Sequence, residues 1–114
     1  MYDLDDSDRL RHMLDAARKA NRYISSKTRE DLDSDEPLVL ALTRLVEIIG
    51  EAAKNVTAAT RNRHAAILWK AIIGTRDRLA HGYFDVDLDI LWEIVLNDLP
   101  PLIRELEKIV PSEE

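Results

Sequence analysis

Apolar residues recur at the spacing of an α-helix along almost the whole chain. In the first segment they fall at positions i, i+3, i+4 and i+7, which predicts a helix over residues 6–26. A second helix of about 20 residues begins near Pro37, where the first turn tolerates a missing N–H, with Asp35 as its candidate N-cap. Gly50 interrupts the second helix and indicates that another helix or a ligand backbone approaches there. The polar stretch 57–63 is predicted to end it.

Two further segments complete the pattern. A third helix is predicted from residue 65 to residue 79 or 80, with Gly82 at the C-cap position. A fourth helix is carried by residues 88–99, Pro100 and Pro101 break or kink it, and a final amphipathic piece continues to residue 110. No segment alternates with the period of a strand. The chain is therefore predicted to be an all-α, antiparallel bundle of four to five helices.

Length and composition limit the possible classes of protein. The 114 residues fit a single domain spanning 1–114, and 46% apolar residues suffice for a packed core. The absence of Cys excludes disulfides, thiolate metal sites and a thiol nucleophile. The N-terminus is acidic where a signal peptide would be basic, and no apolar run approaches the roughly 18 residues of a membrane span. A cytoplasmic protein without membrane association is expected.

The net charge of −6 is unevenly distributed. Residues 1–36 carry a net charge of −3, residues 37–80 a net +4, and residues 81–114 a net −7. Since phosphate contacts are made locally by Arg and Lys, an acidic chain with a basic middle remains compatible with nucleic-acid binding.

The segment RDRLAHGY, residues 76–83, concentrates the ingredients of phosphodiester chemistry at the end of the third helix. Arg76 is suited to bind a phosphate oxygen and stabilise transition-state charge, and His81, with an ordinary pKa of about 6.5, is suited to proton transfer. If the helix continues that far, Asp77 lies one turn from His81 and can orient its imidazole. Arg76 and His81 point in different directions from a regular helix, so they converge only if the helix unwinds at Ala80 or two copies of the chain face each other.

A purely structural interpretation of the same residues is also open. Arg76 and Asp77 are then solvated helix residues, His81 interacts with the C-terminal end of the helix, and Tyr83 anchors the core. The spacing of Arg and His by itself does not exclude this alternative.

Four stretches of the sequence resemble the HepT-like branch of the HEPN family, small all-helical toxins of prokaryotic toxin–antitoxin pairs. They are DRLRHMLDAARKANRYI, RLVEIIGEAAKNV, LWKAIIGTRDRLAHGYFDVD and LWEIVLNDLPPLIREL, and together they cover about residues 4–110. The family pattern of Arg, a polar residue, three variable residues, His, one residue and Tyr falls on Arg76, Asp77, His81 and Tyr83. Asn often follows the Arg in this family, whereas this chain has Asp77.

The resemblance implies a HEPN-like homodimer and a metal-independent endoribonuclease without cofactors, with its site in a cleft between protomers. It further implies a partner, a minimal nucleotidyltransferase of the MntA type, that silences the toxin by attaching AMP to Tyr83. The expected catalytic residues are then Arg76, Asp77 and His81, acting on RNA through attack of a 2′-OH. Lys70 and Arg78 are candidates for RNA binding, together with Arg61 and Arg63.

Other candidate residues are assigned structural roles. His12 and His64 lack a metal-ligating neighbour at helical spacing and are predicted at the surface. Trp69 and Trp92 lie in apolar runs and are predicted to pack, and Glu47, with Glu51, is predicted on a solvated helix face. Two other functions stay open: a non-catalytic HEPN module that binds nucleotide or protein beside a nucleotidyltransferase, and a helical dimerisation domain without a ligand.

Overall fold

A computed structural model of the chain describes residues 5–79 and 85–111. Within these residues the fold is all-α, without a strand, so the predicted fold class is confirmed. The helices are α1 (Asp6–Tyr23), α2 (Glu36–Asn55), α3 (Ala58–Arg63), α4 (Trp69–Ile73), α5 (Thr75–Leu79), α6 (Leu88–Glu93) and α7 (Leu99–Ile109). A 3-10 helix, Arg29–Asp33, precedes α2, and a π-helical turn, Ile94–Asp98, joins α6 to α7.

The two long helices begin where their capping residues predict. The Asp5 carboxylate accepts the backbone N–H of Asp8 at 2.9 Å at the start of α1, and the Asp35 carboxylate accepts that of Leu38 at 3.1 Å at the start of α2. Pro37 lies in the first turn of α2, as expected. Helix α1 ends at Tyr23, three residues earlier than predicted. Each cap satisfies a backbone donor that the helix itself leaves without a partner.

The core lies where α1 and α2 pack against each other and against the C-terminal helices. Its fully enclosed side chains come from α1, α2 and the α6–α7 stretch: Met13, Leu14, Leu42, Val46, Ile49, Leu91, Ile94, Val95 and Leu106. These positions are those of the helical periodicity, so the apolar faces predicted from the sequence are the buried ones. No described helix is both long and apolar enough to cross a bilayer.

The predicted third helix over 65–80 is wrong in its first half and interrupted in its second. Residues 58–63, expected to terminate α2, form α3, and the next helix begins only at Trp69. The chain turns between them because the His64 carbonyl accepts both the backbone N–H of Ile67 and the indole N–H of Trp69, each at 3.1 Å. Gly74 then separates α4 from α5.

The predicted interruption at Pro100–Pro101 is displaced toward the N-terminus. The irregular turn is the π-helical segment Ile94–Asp98, and α7 begins at Leu99 and includes both prolines. Prolines are tolerated in the first turn of a helix, where backbone N–H groups have no partner within the helix. A widened turn before the prolines lets the helix continue without a loop.

Gly50 is a point of close approach between helices, as its position in α2 predicts. A Cβ added there would lie 3.4 Å from the carbonyl oxygen of Ile72 and 3.5 Å from Oγ1 of Thr75. The buried Thr75 hydroxyl itself donates to the Ile72 carbonyl at 2.7 Å. Because Gly50 has no side chain, the junction of α4 and α5 packs directly against the backbone of α2. This contact fixes the position of α5.

A carboxylate in α1 holds the start of α3. The Asp6 side chain accepts three hydrogen bonds: from the Thr57 backbone N–H at 3.0 Å, the Thr57 hydroxyl at 2.6 Å and the Thr60 hydroxyl at 2.5 Å. The bond from the Thr57 hydroxyl, and then that from Thr60, hold the pKa of Asp6 below its ordinary value of 3.8. Asp6 thus links the N-terminal ends of two helices that are distant in sequence.

We expect Asp6→Asn to lower the free energy of unfolding by about 1–2 kcal/mol, because charge-assisted bonds to two hydroxyls and an amide are weakened. A carboxyl whose pKa is lowered by folding stabilises the protein fully above its unfolded pKa and loses that effect as the pH falls through the folded pKa. The difference from wild type should therefore be constant above about pH 5 and shrink below 3.8. Denaturant unfolding between pH 2 and 7 measures it, with exposed Asp15→Asn in the same helix as control. A difference that keeps its full size down to pH 2 would contradict the assignment.

Candidate active site

Helix α5 places the first part of the RDRLAHGY segment on the surface. Thr75 and Leu79 are buried against the core, whereas Arg76, Asp77 and Arg78 between them are exposed. The contact of α5 with α2 therefore fixes the backbone beneath these side chains. The predicted phosphate-binding and orienting residues are both accessible to a ligand.

Arg76 is only loosely held by the protein. Its side chain is 75% exposed, and Nε lies 3.9 Å from Oε2 of Glu47 on α2. Glu47 lies at the same 3.9 Å from Nη1 of Arg44, so one half-buried carboxylate is shared between two guanidinium groups. A long, exposed ion pair of this kind contributes little energy and leaves Arg76 able to take a phosphate. The sequence placed Glu47 on a solvated helix face and gave no sign of its proximity to Arg76, which depends on the packing of α5 on α2.

The two candidates for RNA binding have different surroundings. Arg78 forms an ion pair with Asp98, Nη1 to Oδ2 at 3.4 Å, which ties α5 to the π-helical turn. Lys70 is exposed on α4 and has no ion pair within the described ranges. The charge of Lys70 is thus more available to a ligand than that of Arg78.

His81 and Tyr83 lie outside the described residues, so their predicted roles stay predictions, as does the pairing of Asp77 with His81. A backbone hydrogen bond joins the residues on either side of them. The N–H of Asp87 donates to the carbonyl of Leu79 at 2.9 Å, and the Asp87 carboxylate caps α6 through the N–H of Ile90 at 3.0 Å. A hydrogen bond thus joins the described residues on either side of this segment, and one of them, Leu79, ends α5 three residues after Arg76.

Asp89, in the first turn of α6, is bonded to Arg29 in the 3-10 helix that precedes α2. Asp89 accepts a hydrogen bond from Nε of Arg29 at 2.6 Å, and Arg29 also binds Asp33 at 3.0 Å. These two carboxylates, Asp89 first, raise the pKa of the Arg29 guanidinium. The start of α6 is therefore fixed to the 3-10 helix.

The histidines and tryptophans for which the sequence predicts structural roles differ in burial. His12 is exposed and His64 is half-buried, while Trp69 is buried and Trp92 is packed against the core. Across residues 5–79 and 85–111, no three His, Asp or Glu side chains are grouped so that they could hold a metal ion.

Comparison with known proteins relates the chain to one protein family. The family model described as "Ribonuclease HepT-like" matches residues 13–109. The "Putative RNase" of Caldanaerobacter subterraneus subsp. tengcongensis is 36% identical over 92% of this chain and 94% of its own length. The "Probable ribonuclease HepT" of Thermococcus cleftensis is 40% identical over 70% of this chain and 73% of its own. No solved structure matches the chain significantly.

Proposed function

The chain belongs to the ribonuclease HepT-like family, and on this basis we propose that it is a metal-independent endoribonuclease whose site is formed by Arg76, Asp77 and His81. The observation that carries the proposal is the family match over residues 13–109, which includes every one of these positions. The exposure of Arg76 and Asp77 on a helix fixed to the core supports it. The family and its named relatives indicate an enzyme that acts on RNA.

The reaction needs three tasks, and the segment has a residue for each. Arg76 binds a non-bridging oxygen of the scissile phosphate and stabilises the charge that builds up there. His81 takes the proton of the 2′-OH, which attacks phosphorus, and a proton is returned to the departing 5′-oxygen. Asp77 is a positioning residue that orients the imidazole of His81. Each task uses a side chain rather than a metal-bound water.

The active form is proposed to be a homodimer. Arg76 and His81 diverge on one regular helix, so a facing second copy is one way to bring an Arg and a His to the same phosphate. The exposed position of Arg76 on α5 is compatible with a cleft shared between two copies.

Regulation is proposed to act on Tyr83 within a toxin–antitoxin pair. A nucleotidyltransferase of the MntA type would transfer AMP from ATP to the phenolic oxygen of Tyr83, with pyrophosphate as the leaving group. The added phosphate carries negative charge two residues from His81 and would repel an RNA backbone. The intact mass of the protein, coexpressed with such an enzyme, should rise by one AMP, and Tyr83→Phe should abolish the increase.

The nuclease proposal is tested by incubating the purified protein with RNA in excess EDTA. We expect cleavage at the same rate with and without the chelator, because neither Arg76 nor His81 depends on a metal. A rate that falls to background in EDTA and returns when Mg²⁺ or Mn²⁺ is supplied would contradict metal independence. Absence of cleavage under every condition, with binding of nucleotide or of a nucleotidyltransferase retained, would instead favour the non-catalytic module.

A further inference from the structure

A concave pocket between α3 and α4 carries a concentrated positive charge. Its volume is about 540 Å³, and its polar walls are Arg61, Asn62 and Lys70 beside the apolar Trp69 and Ile73. Within residues 5–79 and 85–111, no Asp or Glu lines it. The pocket therefore presents two cations and one amide without a counter-charge.

The arginine side chain of this pocket has no hydrogen-bond or ion-pair partner among the residues that the structure describes. Arg61 is half-buried, and its Nε–H, enclosed by the protein, donates to no acceptor among the described residues. Neither Arg61 nor Lys70 belongs to an ion pair in the described part of the chain. An enclosed donor without a partner costs free energy, and an arginine side chain held at the wall of a pocket is suited to an anion.

A second, larger pocket shows the contrast. It has a volume of about 620 Å³ between α4, α5 and α7, and three cations line it, namely Arg78, Arg104 and Lys108. Two of these form ion pairs with acidic residues that also line the pocket, Arg78 with Asp98 at 3.4 Å and Lys108 with Glu105 at 3.1 Å. Arg104 has no ion pair among the described residues, so the lining of the larger pocket carries a net charge of +1, against +2 for the pocket of Arg61 and Lys70.

We propose that the pocket of Arg61 and Lys70 binds a phosphate of the RNA strand other than the scissile one. Lys70 precedes Arg76 by six residues, about 9 Å of helix rise. Two backbone hydrogen bonds span the junction of α4 and α5: the Gly74 N–H donates to the Lys70 carbonyl, and the Arg78 N–H donates to the Gly74 carbonyl. The pocket is thus lined by α4, the helix directly before α5, which carries the proposed ligand of the scissile phosphate, Arg76. Its volume exceeds that of one phosphate, and Asn62 offers a donor and an acceptor to the attached nucleoside.

This inference rests on the proposed function in one respect, the identification of RNA as the ligand. The shared chemistry is a phosphate group, which free AMP or inorganic phosphate also carries. The test therefore measures binding separately from cleavage and compares these ligands.

The experiment is a fluorescence-anisotropy titration with a labelled 2′-O-methyl RNA oligonucleotide, which cannot be cut by 2′-OH attack. We expect Arg61→Gln and Lys70→Gln each to weaken binding about three- to tenfold and to flatten the salt dependence by about 0.7 in logarithmic slope, the share of one phosphate contact on a single strand. Arg22→Gln and Lys19→Gln, which remove exposed cations of α1, should change neither quantity. Thermal unfolding checks the fold of Arg61→Gln, and Lys70 is exposed, so its substitution tests the pocket without that concern.

The outcomes separate the two proposals. Affinity and salt slope that match the α1 variants, or no binding of the oligonucleotide by the wild type, would overturn the phosphate pocket. Binding of free AMP or phosphate as tight as that of the oligonucleotide, and equally dependent on Arg61, would overturn its assignment to the RNA strand. Binding that depends on Arg61 and Lys70 without any cleavage of unmodified RNA would support the pocket and contradict the nuclease proposal instead.

Discussion

Replacing His81 by alanine is expected to lower the rate of RNA cleavage by about 10²–10⁴-fold, the usual contribution of one general acid–base group. The variant should bind RNA as tightly as the wild type, because a neutral imidazole adds little to phosphate affinity while Arg76 and the basic middle of the chain remain. Initial rates on a labelled RNA, measured beside anisotropy with the 2′-O-methyl form, separate the two quantities.

The matched control is His12→Ala, which removes an exposed imidazole from α1 and should leave the rate unchanged. A His81→Ala protein that cleaves at the wild-type rate would remove His81 from the mechanism. Equal losses in both histidine variants would point to a general effect of the substitutions.

Arg76→Ala is expected to reduce cleavage by about 10²–10³-fold, since one donor aimed at developing charge typically contributes this much. The melting temperature should stay unchanged, because the side chain is 75% exposed and its nearest partner, Glu47, lies 3.9 Å away. Arg76→Lys should recover part of the rate, as it keeps the charge and loses the two-pronged geometry.

Arg44→Ala is a closely matched control. Its side chain is 71% exposed and it lies at the same 3.9 Å from Glu47, so the two variants remove the same charge from the same carboxylate. Equal activity of Arg44→Ala and Arg76→Ala would show that only the local charge matters and would contradict a specific phosphate contact by Arg76.

The sequence predicts the long elements of the fold well, because their signals are local. Capping by Asp35, Pro37 in the first turn and an apolar face of helical period all lie within α2 itself. The sequence predicts the region 57–79 less well. One of its breaks depends on a bond from the Trp69 indole to the His64 carbonyl, and the other, at Gly74, depends on tertiary packing against Gly50. The periodicity of apolar residues does not predict such contacts.

For the candidate site, the sequence identifies the residue types and the structure adds their surroundings. Arg76 and Asp77 lie on the exposed face of α5, as phosphate chemistry requires. The proximity of Glu47 to Arg76 arises from helix packing between distant segments, and no spacing rule reveals it. Nor does a spacing rule reveal that the Nε of Arg61 is enclosed without a partner among the described residues. His81 and Tyr83 lie outside the described residues, so their assignment still rests on the motif and the family.

The most direct test of the central claim is the chemistry of the RNA ends produced in excess EDTA. Attack by a 2′-OH forms a new bond from that oxygen to phosphorus and breaks the bond to the 5′-oxygen. The products should therefore carry a 2′,3′-cyclic phosphate and a 5′-hydroxyl, as mass spectrometry of a short RNA would reveal, and the same RNA with 2′-O-methyl groups should remain intact. Products with a 3′-hydroxyl and a 5′-phosphate, or cleavage of the 2′-O-methyl RNA, would contradict the mechanism assigned to Arg76 and His81.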